Sequence, residues 1–600
     1  MLLQAAPPDS VASIRFSILP KAPSVTRPIA ATYFADYLQQ RGYLNTQTGV
    51  ITIPVFGLYS NFSNTVNLSV CFKDGSSQQI GVNIITPPFS DPCGHDTPTI
   101  IQARTNTTAL SYDFFLVRSA CSATQGPFVL DSDGAIRWVG SIGQANISAG
   151  FFDNAIYMAT KPAASPSPAP TPRLTAISRL ELDGTYTQIA DYAGLNVIGF
   201  HHNFDVGKRG ILVAVDTTTQ MEATILEIDL KGQILKTWNV DQIISNAGAP
   251  TFVQPSPTDW FHNNANAYRS SDNSLVISGR EDFVMAVDYD TNAIKWILGD
   301  STKKWYTFPS LANLALTLAP GTLPPIGEHA VSFAHDDNLL LFDNGKNSVS
   351  PSNTPAGTDR GYNSPRKYRL DLQAMPKVAT EVWNYPVGQS INSQFCSSVY
   401  EDAPNNFLID YAIISNIAPP QQFTELVGLS ASGDKVFDYR YLASGCNTGY
   451  NSVPLHWENL VFTGPAESPL RITSITPNGA DRIFGYPGIA GNTYQLEYKD
   501  ALMDSTWLPL GMQTPACSAS SQLTDVGVGN ATRLYRVRQL PAPTPPPLNP
   551  VSVNDSVLGT GNNQWDYSAG WSYTVINPPS PNYFYDEHFS PNTGNTATLR

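Results

Sequence analysis

Charge is scarce in this 600-residue chain. Only 14% of residues are charged, with 35 Lys and Arg against 49 Asp and Glu, a formal net charge of −14. No basic cluster breaks that balance, which excludes nucleic acid and anionic membrane as bulk partners. A local cationic pocket for a small anion is still allowed. Cysteine is sparse too. The six are scattered, with no CxxC spacing. That speaks against a structural zinc site and leaves disulfides open. Cys71 with Cys93 and Cys396 with Cys446 are the expected pairs. No apolar run is long enough to span a bilayer. The opening "MLLQAAPPDS" lacks the charged and apolar regions of a full signal peptide. Low charge, abundant Thr, Asn and Ser, and an even cysteine count read as an exported protein, periplasmic or secreted. What the chain does have is 42 Gly and 48 Pro. With so many turn formers, short strands joined by turns are expected, an all-β chain of three or four domains.

A short pattern recurs: an apolar strand, an Asp-containing turn, then a strand often ending in Trp. It is written as "VLDSDGAIRW", "LELDGTYTQI", "EIDLKGQILKTW", "AVDYDTNAIKW", "RLDLQAMPKVATEVW" and "GLSASGDKVFDY". Between these copies lie second hairpins such as "NAYRSSDNSLVISG" and "SFAHDDNLLLFDNG". Two hairpins make a four-stranded antiparallel unit that cannot bury both faces alone, so neighbours must stack. Closing the stack into a ring predicts a six-bladed β-propeller over residues 98–465. A large β-sandwich or an open solenoid would be the plainer architecture. Trp138, Trp238, Trp296 and Trp383 are then packing residues between blades.

Residues 1–97 alternate like a small N-terminal β-sandwich, and residues 468–540 read as a C-terminal accessory β-sandwich. The run 541–550 is a stiff proline linker. Residues 551–600 look like the start of a further, incomplete β domain. The proline-rich stretch 161–172 reads as a surface loop of the first blade.

Five of the eight histidines fall between 201 and 335. His202, His262 and His329 each open the strand before a polar hairpin turn, so in a propeller they meet at one mouth of the central channel. Arg280 ends the strand paired with that of His262 and reaches the same mouth. Its planar fork suits a tetrahedral oxyanion. The imidazoles can donate hydrogen bonds, shuttle protons or attack as nucleophiles. No carboxylate pair shares these positions, which counts against glycoside hydrolysis. A three-histidine metal site is the competing reading, with Arg280 as the awkward neighbour. A single histidine at a strand start is more often a hydrogen-bonded structural residue. His335 follows a turn and is expected to be exposed. His95, His456 and His588 carry no functional expectation.

The segment "DWFHNNANAYRSSDNSLVISGREDFVMAVDYDTNAIKWILGD" resembles the bacterial arylsulfotransferases, as do "GFHHNFDVGKRGILVAVDT" and "GEHAVSFAHDDNLLLFDNG". The resemblance runs from about residue 30 to about 460 and rests on Asp-Trp-x-His, Ser-x-Arg, Trp-x-Leu-Gly and Phe-Asp-Asn-Gly together. It implies a six-bladed propeller that moves a sulfuryl group from an aryl sulfate to a phenol in a ping-pong cycle, with no nucleotide donor and no cofactor. It implies His329 as the histidine that becomes sulfated, with His262 and Arg280 on the sulfate oxygens. His202 would be the third cationic or proton-handling group, with His201 as the alternative by one residue of register. Asn264 matches an asparagine of the family pattern. Departures are Ala265 for a serine, Asn203 for an aspartate, and Glu328 before His329. A carboxylate at 328 is expected to raise the pKa of His329. The insertion 301–325 is expected to rim the mouth. A secreted, non-catalytic binding propeller and a metal-dependent lyase or hydrolase are the alternative functions. The expected partners are a small aryl sulfate and a phenol, without nucleic acid or a membrane span. A homodimer is compatible with this reading.

Overall fold

The structure is a computed structural model. It describes residues 1–540 except 5–9, 74–75, 106–108, 123–124, 142–146, 163–173, 386–389, 465–471, 473, 489–492, 502–505, 514–518 and 530–532; beyond 540 it describes only 572–575 and 597–599. The proline linker, most of 551–600, His588, Cys517 and most of the loop 161–172 lie outside the described residues. The chain is all-β and divides into two compact units, Ser90–Leu455 and a unit made of Met1–Phe89 with His456–Arg600.

The Ser90–Leu455 unit holds six sheets of four or five strands among the described residues, antiparallel except for the edge strand Thr317–Leu318, which joins sheet 5 in parallel. Sheets 2, 3 and 4 are each contiguous in sequence, leading with Ala149–Phe152, Val197–Val206 and Asn263–Arg269. Sheet 5 leads with His329–Phe333 and sheet 6 with Ser398–Ala403. Sheet 1 is built from both ends of the unit, because Asn451–Leu455 pairs antiparallel with Phe114–Arg118. Thr99–Gln102 in turn adds to the far edge of sheet 6, beside Lys435–Leu442. The leading strands touch one another in order, and the series returns to its start through Ser398–Ala403 against Asn451–Leu455.

Each of the six recurring sequence copies forms the third and fourth strands of one sheet, counted from its leading strand. The repeated aspartate is explained by its turn. Asp131 accepts hydrogen bonds from the backbone N–H groups of Asp133 and Ala135, and Asp229 does the same for Lys231 and Gln233. Such Asx turns fix a tight reversal, and Gly134 and Gly232 complete it at φ of 85° and 81°. Trp138, Trp238 and Trp296 are fully buried, while Trp383 is partly buried and stacks on Phe407. Each aromatic ring of this kind removes on the order of 200 Å² from water, about 5 kcal/mol gross before entropy is counted. The apolar clusters draw on neighbouring sheets: Leu226 and Tyr157 belong to one, Ile297 and Trp238 to another, Leu339 and Trp296 to a third, and Phe407 and Leu340 to a fourth.

In the other unit, Ile29–Phe34, Val11–Ile18, Ser63–Phe72 and Ser77–Ile85 form one sheet, which the distant strand Leu460–Phe462 joins in parallel. Two three-stranded sheets follow within 474–539, around Phe484, Tyr486, Tyr494 and Leu496.

Cys396 pairs with Cys446 as expected, but Cys93 pairs with Cys121 and not with Cys71. Cys71 is buried in the strand Ser63–Phe72, whereas Cys93 and Cys121 have Cα atoms 5.7 Å apart, within disulfide reach. Among the described residues no helix is long and apolar enough to cross a membrane.

Candidate active site

The leading strands of sheets 3, 4 and 5 begin in the same irregular way. Register shifts lie between His201 and Phe204, between Asn263 and Ala265, and between His329 and Ser332. His202, His262 and Ala330 take φ values of 55°, 56° and 55°. Left-handed backbone is costly for residues with a Cβ and is held by surrounding structure, commonly where a side chain must be aimed. Here the irregular starts present His202, His262 and His329 to one cavity of about 950 Å³, which Arg280, Phe395 and Tyr450 also line. The N–H of Arg280 donates to the carbonyl of His262 at 3.2 Å, so the sequence-predicted pair does sit on adjacent strands. Tyr450 was not singled out by sequence. It is buried, with ring centroids 5.6 Å from His202 and 6.3 Å from His329, and no local motif marks it.

His329 is 3% exposed and its tautomer is set by its neighbours. Nδ1 lies 2.8 Å from Asn344 Oδ1, whose amide nitrogen already donates to the carbonyls of Ser393 and Cys396. Asn344 Oδ1 is therefore an acceptor and Nδ1 carries the proton. Nε2 keeps its lone pair and accepts only the Cys396 N–H, at 3.2 Å. Burial, Arg280 and His262 lower the pKa of His329 to about 3. The ring is neutral at physiological pH and nucleophilic at Nε2. The expected rise from Glu328 is not seen. Burial pushes the Glu328 carboxyl itself up to about 7, so it is a poor source of negative charge.

His262 is the opposite case. Its Nδ1 lies 2.5 Å from Asp259 Oδ2 and 2.8 Å from Glu222 Oε2. Burial opposes the charged form, but Glu222 and Asp259 raise the pKa to about 10. His262 is an imidazolium with Nδ1 engaged and its other N–H free to serve a ligand. Glu222 is held well below the carboxylate range by the surrounding histidines, despite its burial. Replacing the carboxylate, Glu222→Gln, is expected to lower the pKa of His262 by more than one unit. NMR titration of the ring would check this; an unmoved His262 resonance would remove Glu222 as its main partner.

His202, not His201, lines the cavity, and the two Nδ1 atoms lie 2.7 Å apart, one donating to the other. Burial and the neighbouring rings push the pKa of His202 well down, so it is neutral. Arg280 is 2% exposed, its Nη1 donates to Glu281, and its Nη2 is buried without a hydrogen-bond partner. Phe395 covers the guanidinium with its ring centroid 4.8 Å away. Asn264 does not line the cavity; its amide donates to the Glu328 carbonyl at 2.7 Å and so fixes the backbone before His329. His335 is half exposed beside Glu401.

The insertion 301–325 does not line the cavity; the segment Val349–Ser352 does. The insertion stands behind that segment. Lys304 donates to the carbonyl of Ser352 through Nζ and to that of Pro355 through its N–H, while Trp305 is buried. A metal is chemically conceivable at His201, His202 and Glu222, or at Glu222, Asp259 and His262, whose ligand atoms lie within 4.8 Å of one another.

One buried guanidinium donor without a hydrogen-bond partner, a charged imidazole and a neutral imidazole line the cavity, an arrangement chemically able to take a tetrahedral oxyanion. Among solved structures, the β-propeller domain of Myceliophteria thermophila Cps50 (Swd1) is similar at 10% identity and a TM-score of 0.28, over 57% of this chain and 99% of that one. No curated protein sequence matches. The family model described as Arylsulfotransferase (ASST) matches residues 99–451, more than half of the chain and all the cavity residues named above. The chain belongs to the arylsulfotransferase family.

Proposed function

We propose that the six sheets are the blades of a closed propeller and that its cavity transfers a sulfuryl group from an aryl sulfate to a phenol through sulfated His329. The observation that carries this reading is the state of His329, a cavity residue: neutral, protonated at Nδ1 by its bond to Asn344, with the Nε2 lone pair held only by the Cys396 N–H at 3.2 Å. Nε2 releases the Cys396 N–H and attacks sulfur as the S–O bond to the aryl oxygen breaks, and the departing phenolate takes the proton of His262. The sulfated ring keeps its Nδ1 proton against Asn344. In the second half the acceptor phenol returns a proton to His262 and its oxygen attacks sulfur, restoring neutral His329. An imidazolium near 10 is matched to a phenol, whose ordinary pKa is about 10, so neither transfer is steeply uphill. Sulfuryl transfer, like phosphoryl transfer, is expected to be loose, with charge on the equatorial oxygens. Arg280 and His262 meet that charge with donors already in place.

The pH profile follows with both signs fixed. His329 must be neutral, which fails only as pH falls toward about 3. His262 must be charged, which fails as pH rises through about 10. A broad bell between these limbs is expected for kcat/KM with an aryl sulfate; a single limb near neutrality would contradict it.

The direct experiment mixes the protein with a chromogenic aryl sulfate, with and without phenol, in chelator and without nucleotide donor. Phenol-dependent chromophore release with aryl sulfate as product is expected. The ligand-like clustering of His201, His202 and Glu222 favours a metal-dependent lyase or hydrolase as the second reading. Loss of activity in chelator, with metal found by elemental analysis, would select it.

A further inference from the structure

We propose that Glu281 is a positioning residue that locks the Arg280 guanidinium and the segment Ser348–Ser350, which leads into the cavity wall, into one unit. One carboxylate carries both ends of the link. Oε1 accepts from Arg280 Nη1, and Oε2 accepts from Ser348 Oγ at 2.6 Å, the Val349 N–H at 2.7 Å and the Ser350 N–H at 2.8 Å. Burial works against the charge of Glu281, but Arg280 first, and then the bonds from Ser348 and Ser350, hold its pKa below the usual carboxylate value. The Glu281 carbonyl accepts from buried Lys303 Nζ at 3.0 Å, which anchors the insertion to the same point. Both Arg280 and Glu281 are buried, so water cannot replace these bonds cheaply.

The geometry sets what Glu281 does to the arginine. It engages Nη1 and leaves Nη2 without a hydrogen-bond partner. A guanidinium held by one arm has a fixed second arm, so the free donor does not have to reorient as charge grows on a bound sulfuryl group. The same carboxylate also opposes the arginine's charge and so weakens ground-state anion binding. A neutral amide at 281 would reverse both effects: the arginine would hold an anion at least as well at rest, but with its donors less fixed in the transition state.

The inference rests on the sulfuryl-transfer reading, and the experiment separates the two. Wild-type protein is first shown to transfer sulfate from a chromogenic aryl sulfate to phenol; no transfer would sink the reading and the inference with it. In Glu281→Gln, kcat is then expected to fall about tenfold or more, the usual worth of a lost charge-assisted hydrogen bond, while the donor KM does not rise. Hydrogen exchange of the Val349 and Ser350 amides should quicken with the melting temperature little changed. Active wild type with a kcat within twofold in the variant, or a KM rise at unchanged kcat, would overturn the inference. Should Glu281→Gln not fold, Ser348→Ala removes one of the three donors and is expected to lower kcat about threefold at unchanged donor KM; an unchanged kcat there would overturn it equally.

Discussion

His329→Asn is expected to abolish turnover, by about 10⁴-fold or more, and to prevent any covalent labelling by an aryl sulfate. Asparagine preserves a hydrogen-bonding side chain of modest volume beside Asn344 but has no nucleophilic ring nitrogen. The loss should therefore appear without a large change in melting temperature. Intact mass measured under alkaline conditions after mixing with donor should show one added sulfuryl group in the wild type and none in the variant. Normal turnover in His329→Asn would remove this residue as nucleophile. Turnover lost with labelling retained would move the covalent bond to another ring, and His202 would be examined first.

Arg280→Ala is expected to cost about 10²- to 10³-fold in kcat/KM for the donor, the range found when a preorganised oxyanion donor is removed. The penalty has two physical parts. The buried Nη2 donor is lost from the sulfuryl oxygens, and Glu281 is left ionised with Ser348, Val349 and Ser350 as its only remaining donors. Arg280→Lys should recover little, because an ammonium cannot hold Glu281 with one arm and keep a fixed second arm. Steady-state kinetics with one aryl sulfate measures both variants. A lysine variant close to wild type would show that charge alone matters there.

Much of this was legible in the residues. The turn copies marked six sheets because each reversal sits at a comparable place, where Asp131, Asp229, Asp288 and Asp371 accept backbone N–H groups and Glu181 and Ser430 stand in the other two. His202, His262, His329 and Arg280 were readable as a group because each opens or closes a strand at a comparable point of the repeat. Tyr450 was not readable, because it is another sheet that brings it beside two histidines. Asn344 was readable only as part of Phe-Asp-Asn-Gly, without a role; it follows the strand paired with that of His329 and so meets its Nδ1. Charge states were also beyond local sequence. Glu328 adjoins His329 in the chain, yet its own burial makes it a weak perturber, whereas Glu222, forty residues from His262, fixes that ring's charge. The position of the insertion was misjudged for the same reason: Lys303 and Lys304 tie it behind the wall, not on it. The Cys71–Cys93 pairing failed because spacing carries no information on which strand buries a cysteine.

The strand Asn451–Leu455 that completes sheet 1 has a consequence for biogenesis. It pairs with residues made some 330 positions earlier, and Tyr450 enters the cavity only with it. A ribosome that has finished His202, His262 and His329 has still not finished the site. Truncated or slowly synthesised chains should expose the open edge of Phe114–Arg118 to other chains, a hazard that grows with the time spent waiting for the last strand. A product that ends before Tyr450 carries neither that ring at the cavity nor the strand that pairs with Phe114–Arg118.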